Sequence, residues 1–176
     1  LDAIQHIVLE QQSEFNRIWQ NIILELRKEK IFLVTEKNLN REQQKFVVDF
    51  FEEQVRPNVI PLMIESIEQF PYLREKSIYL AVVMSRKNSA YKRKYALIEV
   101  PTRAVSRFNL LPASKPGEHN IILLEDIIRF NLPRIFSFFE YETFSAHIIK
   151  VTKDAEFDID YDESLSYIDK IKKKIK

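Results

Sequence analysis

One glycine, Gly117, stands in the 176 residues of this chain. Glycine is the residue that turns a backbone where a side chain would clash, so its scarcity limits the architectures open to the chain. Phosphate-cradling loops and dinucleotide-binding turns need several glycines, because backbone amides must approach the phosphates closely. A nucleophile elbow flanked by glycines is excluded for the same reason. What remains is a fold of helices and strands whose turns are made by other residues.

The apolar pattern is dense enough for such a fold. Hydrophobic residues make up 45% of the chain and aromatic residues 12%, ample for one sizeable core. There is no cysteine, which excludes disulfides and thiolate zinc sites and fits a reducing compartment. No run of about 18 apolar residues is present, so no transmembrane helix is expected, and the N-terminus lacks a signal-peptide pattern. A start at Leu1 rather than Met is expected of a processed, truncated or excised piece.

Ile4, Val8, Phe15, Ile18, Ile22 and Leu26 recur on one face of a long amphipathic helix over about 2–30. After the short connection "IFLVTEKNLN", Asn40 is placed to cap a second helix, "REQQKFVVDFFEEQV", ending near Arg56 because Pro57 follows. Residues 1–56 are thus expected to form a helical hairpin. "SIYLAVVM" (77–84) is almost continuously apolar, as in a strand buried on both faces. "YALIEVP" (95–101), "RFNLLP" (107–112) and "FSAHIIKV" (144–151) are further strands, and "NIILLEDIIRFNLPRIF" begins as a strand and turns helical around Glu125. Leu165, Ile168, Ile171 and Ile175 stripe a terminal helix. The expected class is α+β, the hairpin being followed over 57–176 by a mixed or antiparallel sheet with packed helices.

Two charged stretches are candidates for function. Between Lys76 and Gly117 nine basic residues face a single acid, Glu99. At the centre lies "SRKNSAYKRKY", with Arg86, Lys87, Lys92, Arg93 and Lys94 between two expected strands. Such a hairpin tip offers an anion surface for nucleic acid, a phosphate polymer or an acidic partner. A solvated loop that keeps sheet edges from mispairing needs the same residues and is favoured over it. The second stretch puts Asp154, Glu156, Asp158, Asp160, Asp162 and Glu163 into ten positions. A calcium loop wants a glycine at its sixth position and a glutamate at its twelfth. Counting from Asp158, those positions hold Glu163 and Asp169. Phe157 and Ile159 alternate with the acids, as in a half-buried edge segment, and Asp162 stands where a cap is wanted. A structural role is favoured and no metal ligand is assigned.

His6, His119 and His147 are too dispersed to form a cluster, and none is assigned a catalytic role. The Phe-rich "RIFSFFEYETF" reads as core at a helix–strand junction, with an exposed interaction patch as the alternative.

Five segments in order, "RPNVIPL", "QFPYLREKSIYLAVVM", "VPTRAVSRFNLLP", "IILLEDIIRFNLPRIF" and "KVTKDAEFDID", resemble successive signatures of the head, or middle, domain of bacterial polyphosphate kinases. These are the enzymes whose catalytic half is similar to phospholipase D. Phe70-Pro71-Tyr72 and Thr152-Lys153-Asp154 stand where the family often has Pro-Phe-Pro and usually has Thr-Arg-Asp. The resemblance implies a parent that transfers the terminal phosphate of ATP to polyphosphate through a phosphohistidine, with magnesium. It also implies that the nucleophile and its arginines lie in other domains, so no catalytic, cofactor-binding or metal-binding residue is carried onto this chain. The segment alone is expected to be inactive and to hold no cofactor. Its implied part is architectural: to support a homodimer or larger assembly, and to shape the polymer path. The hairpin and the Phe-rich stretch are where that interface is sought. Its partners would be the other domains and polyphosphate, with no nucleic acid. The parent would be cytoplasmic or peripheral at the membrane. The alternative from another class is an interaction module that binds an acidic partner or nucleic acid through 86–94. A metal-dependent hydrolase using the acidic run is remote.

Overall fold

The computed structural model describes residues 2–66, 73–86 and 93–152. It opens with α1 (Asp2–Lys28), whose first and last turns carry the charges that a helix dipole favours, Asp2 and then Arg27 and Lys28. Lys30 takes a left-handed backbone, φ 58°, and its amide donates to the Arg27 carbonyl, closing the helix in the manner usually left to glycine. The chain then passes directly into β1 (Ile31–Leu33).

α2 (Arg41–Phe50) begins with the expected cap. Asn40 Oδ1 accepts from the Gln43 amide at 2.9 Å, and Gln43 Oε1 accepts from the Asn40 amide at 3.2 Å. This reciprocal arrangement turns both carboxamide NH2 groups outward. Gln43 donates to the Pro112 carbonyl at 3.0 Å and to Ser114 Oγ at 3.2 Å, which ties the helix to the 112–114 segment far along the chain. Past Phe50 the helix widens into a π turn (Phe51–Val55) that buries Phe51 and Val55, and then tightens into a 3-10 turn at Arg56–Asn58.

Among the described residues seven strands form two sheets. β2 (Pro61–Met63), β4 (Lys94–Glu99), β3 (Ile78–Ser85) and β7 (Thr143–Lys150) lie side by side in that order, every pair antiparallel. β1, β6 (His119–Leu123) and β5 (Phe108–Leu111) make the other, in which β1 runs parallel to β6 and β5 antiparallel. α3 (Leu124–Phe130) and α4 (Leu132–Ile135) follow β6. One core joins the sheets and helices: Val47, Phe51, Leu80, Val82, Met84, Ile98, Ile122, Ile127, Ile128 and Phe136 are buried within it. Each such side chain stabilises the fold by about 1.5–3 kcal/mol.

The α+β class therefore holds, with an N-terminal helix followed by mixed and antiparallel sheets. The expected hairpin of residues 1–56 is corrected. α1 buries no side chain and makes its main contact with β1, while α2 shares the core with the strands. The physical reason lies in "IFL", which was expected to be a plain connection and instead pairs with residues 119–121. β3 also differs from expectation: Leu80, Val82 and Met84 are fully buried, whereas Ala81 and Val83 are only half-buried. The acidic run and the terminal helical stripe lie outside the described residues.

Candidate functional site

The basic stretch joins paired strands. Met84 lies opposite Lys94, so β3 and β4 are antiparallel neighbours on either side of this stretch. Arg86 reaches Glu140 at 2.9 Å, both side chains exposed, a pair worth little in water. Arg93 is exposed and Lys94 half-buried; Lys87 and Lys92 lie outside the described residues. The amide of Tyr95 donates to Glu65, so acids border the hairpin on both sides.

The three histidines stay separate in the chain's elements. His6 pairs with Glu10 at 3.3 Å on the exposed surface of α1, His119 opens β6 beside Ile31, and His147 is on β7. Among the described residues no three His, Asp or Glu side chains converge to hold a metal ion.

The most unusual electrostatics belong to residues to which the sequence reading gave no role. Glu125 and Asp126 open α3 and are both buried. Arg107 grips Glu125 with Nη2 at 2.6 Å and Nε at 3.1 and 3.3 Å from the two oxygens. This forked contact pushes the arginine's affinity for its proton up, chiefly through the hydrogen bond. Asp126 bonds Arg129, whose Nε also donates to the Ala146 carbonyl of β7 at 3.2 Å. Burial pushes the Asp126 carboxyl up to about 6; Arg129 opposes this, and the neighbouring charges of Glu36 and Glu125 add to it.

Asp126 and Arg129 line a cleft of about 710 Å³ between the 35–37 segment, α3, α4 and β7, with Glu36, Lys37 and His147 at its wall. A carboxyl titrating near 6 can exchange protons around neutrality, yet its partner here is a guanidinium already committed to a backbone carbonyl. The arrangement fastens α3 to β7. Its signal was present in "LLEDII", where two acids sit inside an apolar run: such carboxylates are drawn indoors with their neighbours and need cationic partners. The partners themselves are remote in sequence or one helical turn away.

The Phe-rich stretch divides. Phe136 is in the core, stacked on Phe144, whereas Phe138 is 90% exposed. The Thr102 and Arg103 turn gathers with Arg74, Ser77 and Glu99 around a smaller hollow of about 160 Å³. Ser77 Oγ donates to Glu99 at 2.9 Å, and Arg74 stands 3.7 Å away. Glu99 thereby offsets much of the positive charge there.

Comparison with known proteins places this geometry. Residues 42–176 match the model of the polyphosphate kinase middle domain. The chain is 36% identical over 174 residues to the polyphosphate kinase of Vibrio cholerae serotype O1 (El Tor Inaba N16961), covering 97% of this chain and 24% of that protein. It is 32% identical over 179 residues to the polyphosphate kinase of Escherichia coli K12, covering 100% of this chain and 26% of that one. The crystal structure of polyphosphate kinase from Porphyromonas gingivalis superposes with a TM-score of 0.78 at 29% identity, over 87% of this chain and 25% of that one. The chain thus spans about a quarter of the length of the curated relatives it matches. With match, order of elements and fold in agreement, the chain belongs to the polyphosphate kinase middle-domain family.

Proposed function

We propose that this chain serves as the head domain of an ATP:polyphosphate phosphotransferase and contributes architecture in place of catalytic groups. In this reading the parent moves the terminal phosphate of ATP onto the polymer, using magnesium and domains other than this one. The head domain holds copies together and walls part of the polymer's path. The observation that carries the reading is identity of 32–36% along nearly the whole chain to proteins named polyphosphate kinase. Self-association is supported by α1, a helix of 27 residues without one buried side chain. No helix among the described residues is long and apolar enough to cross a membrane; a place in the cytoplasm or at the membrane surface belongs to the proposal.

The test is turnover. Intact parent protein given ATP and magnesium is expected to form acid-insoluble phosphate polymer, and the 176-residue chain alone to form none. A parent without that activity sinks the assignment. Turnover by the isolated chain sinks the architectural part alone.

The hairpin of Arg86, Lys87, Lys92, Arg93 and Lys94 is proposed to steer polyphosphate. Replacing Arg86, Lys92, Arg93 and Lys94 with glutamine in the intact enzyme should weaken polymer binding steeply at low salt and less at high salt, because counterion release is lost. Unchanged affinity at low salt would falsify this role.

A further inference from the structure

Among the described residues the two sheets have four edge strands, and three of them are blunted. β2 has three residues and opens on Pro61, β1 has three, and β5 has four and runs into Pro112. β7 is different. Its eight residues pair with β3 in unbroken register, without a proline, and β3 is its one neighbour. A long regular edge offers its outward backbone groups to another strand, and proteins therefore shorten such edges or cover them.

The register shows which groups face outward. The Val100 amide donates to the Ile78 carbonyl, so Ile78, Leu80, Val82 and Met84 turn their backbone groups toward β4. Tyr79, Ala81, Val83 and Ser85 turn theirs toward Ile149, His147, Ser145 and Thr143 of β7. Phe144, Ala146, Ile148 and Lys150 are left with amides and carbonyls on the outer side. Arg129 agrees with this, since its Nε reaches the Ala146 carbonyl at 3.2 Å. Among the described residues the amides of Ala146 and Ile148 have no acceptor.

The cleft beside α3 runs along the same edge. Phe144, Ser145, Ala146 and His147 all line it. Successive side chains of a strand point to opposite faces, so four consecutive residues line one cavity only along the strand's edge. The 35–37 segment and the α3–α4 corner flank it.

We propose that the outer edge of β7 is a strand-accepting site, filled in the parent by an extended segment of the parent's remaining chain. The segment adds a fifth strand beside β7. This rests on the reading above that the chain is one domain of a longer enzyme.

The chemistry of the site selects that occupant. The edge presents donors and acceptors in alternation, so its complement needs both. Polyphosphate brings acceptors alone, and a helix has used its backbone groups internally. An extended peptide matches every position, with alternate apolar side chains set against Phe130, Leu132 and Phe144. A second copy meeting edge to edge would drive its own 35–37 segment and α3–α4 corner into the first copy's, because both edges lie within the cleft. A free strand carries no such flanks. The curated relatives are about four times as long as this chain, so the parent has chain to supply one. A tethered strand arrives at millimolar effective concentration, which makes modest affinity sufficient.

Amide hydrogen exchange tests the site. In the 176-residue chain Ala146 and Ile148 should exchange freely, while Ser145 and His147, bonded to β3, should be slow. In the intact parent the two outward amides should slow by about a hundredfold, as when effective concentration exceeds the dissociation constant by that factor. Ile148→Pro removes one outward donor and leaves the β3 ladder whole. In the parent it should return Ala146 to fast exchange and expose the segment that had covered it. If this variant does not fold, the two unsubstituted proteins still decide the matter.

Outward amides equally fast in both proteins overturn the proposal. So do outward amides already slow in the 176-residue chain, since the cover would then lie within it. Polymer formation assayed on the same parent keeps the two readings apart. Activity without protection overturns the strand site alone, and protection without activity overturns the phosphotransferase assignment alone.

Discussion

Asp126 is 5% exposed and faces Arg129 on its own helix, with Glu36, Lys37 and His147 across the cleft and Glu125 beside it. Its pKa in the fold, about 6, lies above the 3.8 of an exposed aspartate, so the folded chain holds this proton more tightly than the unfolded one. The resulting stability is full below the lower value and is lost as pH rises through the higher. Between about pH 4 and 6.5 the wild type should therefore lose roughly 2–3 kcal/mol relative to Asp126→Asn. Urea unfolding of both chains across that range measures it. A pH-independent difference between the two would show that the carboxyl is not penalised by burial. Glu125 beside it is also buried and is held by Arg107. Both acids were visible in "LLEDII" as carboxylates among apolar neighbours, but Arg107 was not visible as a partner, because strand pairing between β5 and β6 decides that proximity.

Elements with a strong local period were legible. β3, β4, β5, β6 and β7 fall within a residue or two of their expected bounds, and Asn40 caps α2 as its position before "REQQ" indicated. β1 was not legible: three residues cannot show alternation, and their strand character comes from His119, Asn120 and Ile121, which lie far along the chain. The hairpin expectation failed with it, since the strand separates the two helices. The capping box carries its own prediction. Gln43 is 1% exposed and joins the cap to Pro112 and Ser114. Gln43→Met keeps the bulk but strips these bonds, and should cost about 1–3 kcal/mol of stability. Denaturant midpoints at a constant m-value would report it; a loss below about 0.5 kcal/mol would mean that water replaces the lost bonds fully.

For the whole molecule, the core is independent of α1. Removing residues 2–28 at a concentration where the wild type is monomeric should shift the melting temperature by less than about 4 °C. A larger fall would show that the helix stabilises its own body. The apolar stripe of α1 was plain in the sequence, whereas the exposed face of the three-stranded sheet was not. Phe108 and Leu110 read simply as strand residues, and only the sheet order reveals that nothing in the described chain lies over them. The family was legible from five ordered segments, because shared order and spacing carry information that none of the segments holds alone.

The parallel pairing of β1 with β6 joins positions nearly ninety residues apart. The β5–β6 hairpin can form locally, but β1 must wait for that long loop to close, which places its docking late in folding. Once docked, three residues hold the root of a helix nine times their number. Brief release of that strand, at a cost well below global unfolding, would set all of α1 swinging from the Asn40 cap. Amide exchange at Val34, bonded to the Ile121 carbonyl, would then time the release of the helix from its anchor.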